Sequence, residues 1–286
     1  MARQMLTVLE IIKRTTEYLA AKGIASARLN AELLIGHALE RKRMQLYLEF
    51  ERPLTEGELE RIRPLVRRRA QHEPLQYVIG ETEFGGLRLK VDRRALIPRP
   101  ETEQLVELVL AWCAENPSAT KFLDLGTGSG AIALAIGHAR GDARVTAVDR
   151  SAEALALAGE NARGAGLEGR LTLINSDWYA AVPGARFDVI VSNPPYLSAA
   201  ETAAAPLEVR QFEPREALVA GAEGLDSLEA VIAGAPHHLR PGGLLALETG
   251  MDHHGRLSAQ LRAAGFSKIE GRRDLTGRDR FILAVW

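Results

Sequence analysis

The stretch "KFLDLGTGSGAIALAI" (residues 121–136) changes periodicity partway along. Phe122, Leu123 and Leu125 form a short apolar run around one acid, Asp124, and are followed by Gly126, Gly128 and Gly130 and then by apolar residues at helical spacing. This reads as strand, glycine turn, helix. Glycine tolerates positive φ and lets a ligand approach the backbone, and a helix N-terminus beyond the turn presents unpaired N–H groups. Counting Ala131, the string also satisfies G-x-G-x-x-A, so taken alone it leaves a nicotinamide dinucleotide site open.

Working outward, the same alternation recurs. Strand candidates are "KFLDL", "RVTAVD", "RLTLI", "FDVIVS", "GLLALE", "SKIEG" and "RFILAV", with helix candidates at 101–115, 129–140, 151–164, 226–239 and 256–264. Short apolar strands separated by helices predict an α/β, Rossmann-like sheet covered on both faces. Ligands of such sheets bind beyond the carboxyl ends of the strands, so the residues that follow each strand carry the functional reading.

Three acids stand there. Asp124 precedes the glycines, where it would repel a pyrophosphate but accept from a cationic amino-acid group. Asp149 ends "RVTAVD" at about the 20-residue distance at which an acid caps ribose hydroxyls, a feature that suits either nucleoside cofactor. Asp177, in "NSDWY", can accept from an adenine amino group beside the apolar plate of Trp178, although an ordinary turn also explains it. Together they point to S-adenosylmethionine. The fourth strand then runs into Ser192-Asn193-Pro194-Pro195-Tyr196. Two prolines end a strand by removing N–H donors and fixing φ, which alone would account for them as a turn. They also suit methyl transfer to a planar nitrogen, whose delocalised lone pair is poorly nucleophilic. The Asn193 side-chain oxygen and the Pro194 carbonyl can accept both N–H hydrogens. This aims the lone pair by orientation and preorganised electrostatics rather than by proton abstraction, with Tyr196 as a flat platform.

The rest of the chain is an ordinary globular composition: 286 residues, 46% hydrophobic, 26% charged and net charge −1, enough to bury a real core. One cysteine, Cys113, excludes an internal disulfide and a multi-thiolate zinc site; it reads as a small buried hydrophobe, and no metal is expected. His237, His238, His253 and His254 lie away from the motifs. Glu10, Lys13, Arg14 and Glu17 interrupt the N-terminal apolar pattern, which argues against a signal peptide or membrane span and for the cytoplasm. Residues 1–72 read as helical, with a capping box expected at Thr55 and Glu58. Residues 1–75 carry 14 Lys/Arg against 10 Glu and no Asp. Their densest part, Arg61, Arg63, Arg67, Arg68 and Arg69, reads either as a solvated face or as a docking surface. Residues 75–96 partly alternate around Gly85-Gly86 and predict a β-hairpin connector. The segment 198–206, "SAAETAAAP", reads as a loop.

"DLGTGSG", "AVDRS" and "SNPPY" in that order resemble a class I S-adenosylmethionine-dependent methyltransferase of the planar-nitrogen type. "YVIGETEFGGLRLKVDRRALIPRPETE" (77–103) and "EPREALVAGAEGLDSL" (213–228) sharpen the resemblance to the release factor glutamine methyltransferase family (PrmC/HemK) over nearly the whole chain. The resemblance implies a seven-stranded sheet with an antiparallel last strand, for which "RFILAVW" suits an edge. It implies a helical substrate-recognition domain (1–72), a hairpin linker (73–96) and a catalytic domain (97–286). The methyl donor would contact Asp124, Leu125, Gly126, Thr127, Gly128, Asp149, Trp178 and Asn193, and Asn193, Pro194, Pro195 and Tyr196 would hold a glutamine amide. The implied substrate is the glutamine of the Gly-Gly-Gln loop in class-one peptide chain release factors, with no membrane partner and no nucleic-acid binding required. Pro100 suits the first turn of the following helix, whose positive end Glu101 and Glu103 complement, and Arg99 is expected toward the cofactor cleft.

Overall fold

The computed structural model describes residues 6–286; residues 1–5 of the expected helical region lie outside the described residues. The chain divides into two compact units: residues up to Gly80 together with Leu207–Phe212, and Glu81–Pro206 together with Glu213–Trp286.

The first unit is built of helices α1 (Val8–Ala21), α2 (Ala27–Leu39), α3 (Arg43–Leu48), α4 (Glu56–Ala70) and α5 (Leu75–Ile79). Thr7 and Glu10 cap α1 reciprocally, and Thr55 and Glu58 do the same for α4 as their spacing predicts. The apolar faces close on Leu19, Leu34, Ile35, Leu46 and Ile62. The basic run of α4 is largely committed inside the unit. Arg69 is buried and donates to Asn30, the Glu73 carbonyl and Glu208. Arg68 clamps Glu73 and the carbonyls of Tyr77 and Val78, and Arg63 pairs with Glu56. That leaves Arg61 and Arg67 exposed rather than a continuous basic surface.

The second unit begins with the hairpin β1 (Glu81–Phe84) and β2 (Leu87–Lys90), which turns at Gly85 and Gly86, both at positive φ; two successive positive φ values suit the right-handed twist of the flanking strands. The hairpin is shorter than the expected 75–96, because residues 75–79 are helical. It is also not a free linker: Phe84 and Leu89 are buried among core residues of this unit. A Cβ on Gly85 would sit 2.7 Å from that of Ala135, so only glycine lets the turn lie against the helix beneath.

Seven strands follow: β3 (Lys121–Leu125), β4 (Arg144–Asp149), β5 (Leu171–Asn175), β6 (Phe187–Ser192), β7 (Leu239–Glu248), β8 (Ser267–Arg273) and β9 (Asp279–Val285), in the order β5-β4-β3-β6-β7-β9-β8. The first five run parallel and β9 is antiparallel to both neighbours. β9 is antiparallel as expected but does not occupy the edge: it lies between β7 and β8. The reason is compositional. β9 buries Phe281 on one face and Ile282 and Ala284 with the other core, whereas β8, "SKIEGRR", is exposed almost throughout and its charges suit an edge that must resist further pairing.

Successive residues point to opposite faces. Phe122, Val145, Val189, Leu244 and Phe281 pack with helices α6 (Pro100–Glu115), α7 (Ala131–Ala139) and part of α8 (Ala152–Ala165). A short helix α9 (Ala199–Ala204) comes next in the chain, before α10 (Asp226–His238) and α11 (His254–Ala263). Leu123, Val148, Ile190, Leu245 and Ile282 pack on the other face of the sheet with α10 and α11. The segment 198–206 is therefore no open loop. Ser198 and Glu201 form a capping box at the start of α9, and the alanines sustain it.

Because Phe84 belongs to this core, Phe84→Ala is expected to destabilise the second unit by about 3–5 kcal/mol in urea unfolding. A midpoint equal to the parent's would show that the hairpin is only a tether.

Candidate functional site

β3 stands between β4 and β6 with Leu125 in register with Val148 and with Ser192. Three strand ends therefore reach the same level. Gly126 and Thr127 both donate to the Val148 carbonyl, at 2.9 Å, closing the turn over the end of β4. Gly126, Gly128 and Gly130 all have positive φ, which is the demand that placed glycine there.

Asp149 leaves the end of β4 and holds the loop. Its Oδ2 accepts from the Gly128 N–H at 2.8 Å and its Oδ1 from the Ser151 N–H at 2.9 Å. Each oxygen retains a lone pair for a further donor. A carboxylate on the glycine loop takes the Gly128 N–H and places negative charge where a pyrophosphate would lie, which counts against the dinucleotide reading. Asp124 lies beneath the loop, fully buried. Its Oδ2 accepts from the Thr127 hydroxyl at 2.6 Å and the Ala133 N–H at 3.2 Å, while Oδ1 has no donor among the described residues. Burial pushes its carboxyl up to about 7.

A cleft opens over these ends. Gly126, Thr127, Gly128, Asp149, Asp177, Trp178, Asn193 and Pro195 all face it, together with Arg99 and Thr102. Trp178 adopts φ of +46°, costly for a bulky residue. Ser176 holds it by donating to the Trp178 carbonyl at 2.9 Å and accepting from the Ala181 N–H, and a Cβ on Gly126 would lie 3.8 Å from the indole. Asp124, Leu125, Pro194 and Tyr196 do not line the cleft. Leu125 is buried in the core, with its carbonyl accepting from Ser192 Oγ, and Pro194 is buried. Asp124 thus stands behind the wall rather than on it. The sequence shows that an acid ends the strand, but not how deeply the turn covers it.

Asn193 sits where β6 ends. Its Nδ2 donates to Thr102 Oγ1 at 3.0 Å, and that is the side chain's hydrogen bond among the described residues; Oδ1 takes no part in it. The Tyr196 hydroxyl donates to Glu248 Oε1 at 3.0 Å and receives Arg280 Nη1 at 3.3 Å; the guanidinium carbon lies 5.7 Å from the ring centroid. Glu248, at the end of β7, accepts from Thr102 at 2.7 Å through Oε2. Burial raises its carboxyl while the Arg280 charge counters. Thr102, Glu248 and Arg280 escaped the sequence reading. Glu248 carried the same signal as Asp124 and Asp149, an acid closing an apolar strand. Arg99 faces the cleft as expected and bonds Glu213 at 2.6 Å; Glu213 also takes the Ile97 N–H. The stretches 96–103 and 213–217 are joined there, and Pro214 and Glu216 continue the cleft wall.

Comparison with known proteins supplies independent findings. Residues 10–80 match the family described as PrmC N-terminal domain, and residues 105–210 the methyltransferase small domain. Release factor glutamine methyltransferases from Geobacter sulfurreducens and Cereibacter sphaeroides are 41% and 43% identical, each over 96% of this chain and over 95% and 97% of their own. The one from Moorella thermoacetica is 42% identical over 98% of both. Among solved structures, the hMettl16 catalytic domain in complex with an RNA hairpin superimposes with a TM-score of 0.56 at 17% identity, covering 78% of this chain and 81% of that one. A T. thermophilus 16S rRNA guanine-N2 methyltransferase in complex with AdoMet and guanosine gives 0.51 at 20% identity, covering 72% of this chain and 49% of that one, so this chain spans about half of its length. At such identities these structures establish the fold.

The buried Asp124 yields a signed prediction. Its unfolded value is about 3.9 and its folded value about 7. The native state is thus penalised increasingly as pH rises from about 4, and fully above about 7. Asp124→Asn is expected to raise the melting temperature relative to the parent by several degrees at pH 8, with the gap narrowing at pH 5. An equal gap at both pH values would contradict this account.

Proposed function

The chain belongs to the release factor glutamine methyltransferase family, and from that premise we infer that it transfers a methyl group from S-adenosylmethionine to the side-chain amide nitrogen of a release-factor glutamine. The substrate proposed is the glutamine of the Gly-Gly-Gln motif in class-one peptide chain release factors, met in the cytoplasm and without a requirement for nucleic acid. The helical first unit is the proposed substrate-recognition domain. No helix among the described residues is long and apolar enough to cross a membrane.

The observation that carries the reading is Asn193. It faces the cleft at the end of β6 and its amide nitrogen donates to Thr102, which leaves its oxygen for a substrate. An enzyme that must abstract a proton would place a base there. An enzyme that must orient a neutral amide needs acceptors; Asn193 Oδ1 supplies one at the cleft, and the carbonyl of Pro194, whose ring is buried behind the wall, is the proposed second in a stiff frame. Accepting both N–H hydrogens draws electron density toward nitrogen and fixes its lone pair. Pro195, on the cleft wall, completes the proposed amide clamp; Tyr196, expected as its platform, stands behind the wall and braces the turn through Glu248.

The residues fit the donor. S-adenosylmethionine supplies an electrophilic methyl group on a sulfonium. Gly126, Thr127 and Gly128 leave the cleft floor free of side chains at the glycines, Asp149 keeps acceptor capacity for ribose hydroxyls, and Asp177 and Trp178 offer an acceptor and an apolar plate for adenine. Asp124, with one oxygen unpaired and buried, acts through the loop: a cationic group bound above it favours its ionised form. Leu125 contributes by seating the loop.

The test incubates the protein with labelled methyl donor and either a class-one release factor or RNA. Label is expected on a glutamine of the release factor; label on RNA alone would overturn the reading. Asn193→Ala is expected to lower turnover by at least ~100-fold while donor affinity, measured by calorimetry, stays within about tenfold, or ~1.4 kcal/mol.

A further inference from the structure

The amide-clamp reading needs Asn193 to present oxygen, not nitrogen, to the cleft. An Asn side chain is nearly symmetric in shape, and a half-turn about its last bond exchanges the two. Packing discriminates weakly between them, so something must set the direction.

The hydrogen bonds around it do. Glu248 is 1% exposed and fixed at the end of β7. Burial raises the Glu248 carboxyl, but the two hydroxyls and the Arg280 charge support its ionised form, and in that form it only accepts: Oε2 from the Thr102 hydroxyl at 2.7 Å, Oε1 from the Tyr196 hydroxyl at 3.0 Å. A hydroxyl has one hydrogen. Thr102 has spent its hydrogen on Glu248, so its oxygen can only accept from the next group along. That group is Asn193, whose Nδ2 lies 3.0 Å away. The amide nitrogen must therefore face Thr102, which leaves Oδ1 for the cleft. The same carboxylate anchors Tyr196, while Arg280 donates to the Tyr196 oxygen and supplies the nearby positive charge. One buried acid thereby governs both sides of the Asn-Pro-Pro-Tyr turn, from an element distant in sequence.

We propose that Thr102 and Glu248 are positioning residues for methyl transfer, acting as a one-way relay of hydrogen bonds that holds the Asn193 amide with its oxygen toward the substrate. The proposal rests on the amide-clamp function argued above. It assigns work to Thr102, which sits inside "PRPETE", and to the acid of "LALE". Neither needs to exchange a proton.

The Glu248→Gln substitution sharpens the consequence. Because Arg280 donates to the Tyr196 oxygen and the Tyr196 hydrogen needs an acceptor, a glutamine at that position turns its oxygen to Tyr196 and its nitrogen to Thr102 Oγ1, which frees the Thr102 hydrogen to point at Asn193. The Asn193 amide then turns over and presents hydrogens to a substrate that also presents hydrogens.

The experiment measures turnover on a release factor, donor affinity and thermal melting for Thr102→Ser, Thr102→Val, Glu248→Gln and the double variant that combines the last two. Thr102→Ser keeps the hydroxyl and is expected to retain kcat within about threefold, whereas Thr102→Val and Glu248→Gln each lose at least ~30-fold in kcat with donor affinity within about threefold. The double variant is expected to be no worse than Thr102→Val by more than about threefold, because the relay is already cut. Parental turnover in either Thr102→Val or Glu248→Gln overturns the relay, as does Thr102→Ser falling as far as Thr102→Val. If Thr102→Val does not fold, Glu248→Gln and Thr102→Ser still decide. A parent protein that fails to methylate the release factor would sink the functional reading itself. An active parent with an indifferent Thr102→Val would sink only the relay.

Discussion

The parallel register of β3 with its two neighbours is the constraint from which the site follows. Leu125 pairs with Val148 on one side and Ser192 on the other, so the glycine turn, Asp149 and Asn193 leave the sheet at one level. A parallel ladder cannot slip by one residue without exchanging the two faces of each strand, and with them the side chains that fit each core. Here both faces are buried, by Phe122 and its neighbours on one side and Leu123 and its neighbours on the other, so the register is fixed from both. The functional groups need no separate positioning device along the strand axis.

What remains to be fixed is direction, and carboxylates at the strand ends fix it. Each ends a strand and each has a distinct electrostatic setting. Asp149 is only partly buried and accepts two backbone N–H groups, which shape the loop while leaving acceptor capacity outward. Asp124 is buried with two donors on one oxygen and none on the other, so its charge is poorly supported until a cation approaches. Glu248 is buried with hydroxyl donors on both oxygens and Arg280 nearby. An unpaired buried charge destabilises a fold. The partly unpaired Asp124 therefore costs stability, which accords with the cationic donor proposed to bind above the loop.

The elements were largely legible in the sequence because their signals are local: three glycines after "FLDL", alternation along each strand, and a capping box at Thr55. Pairing order was not. The pattern of "RFILAV" tells that both faces of β9 are buried, but an edge strand and an inserted strand can both be apolar. Only comparison with the polar "SKIEGRR" shows which of the two belongs inside. The site divided in the same way. Asn193 announces itself by its prolines. Thr102 and Glu248 act only through contacts 91 and 146 residues apart along the chain, and each taken singly is an unremarkable helix or strand residue. Segment 198–206 escaped for a simpler reason: its S-x-x-E box was present, but low complexity obscured it.

The stretches 96–103 and 213–217, which carried the resemblance in the sequence, have no evident chemistry of their own, yet they meet. Arg99 pairs with Glu213, whose other oxygen takes the Ile97 N–H. The Glu213 side chain is almost fully buried and that of Arg99 only partly so. A buried charge pair of this kind adds little net stability but strongly penalises any arrangement that separates its members. It holds the segment carrying Arg99 and Thr102 against the segment carrying Pro214 and Glu216, and both line the cleft. The sheet ends thus provide the part of the site expected of any methyltransferase of this fold. The ion pair closes a second wall over them, and Thr102 in that wall reaches back to orient Asn193. Under the proposed relay, specificity for an amide is not a property of the Asn-Pro-Pro-Tyr turn alone but of the turn together with the wall that sets which end of Asn193 faces the cleft.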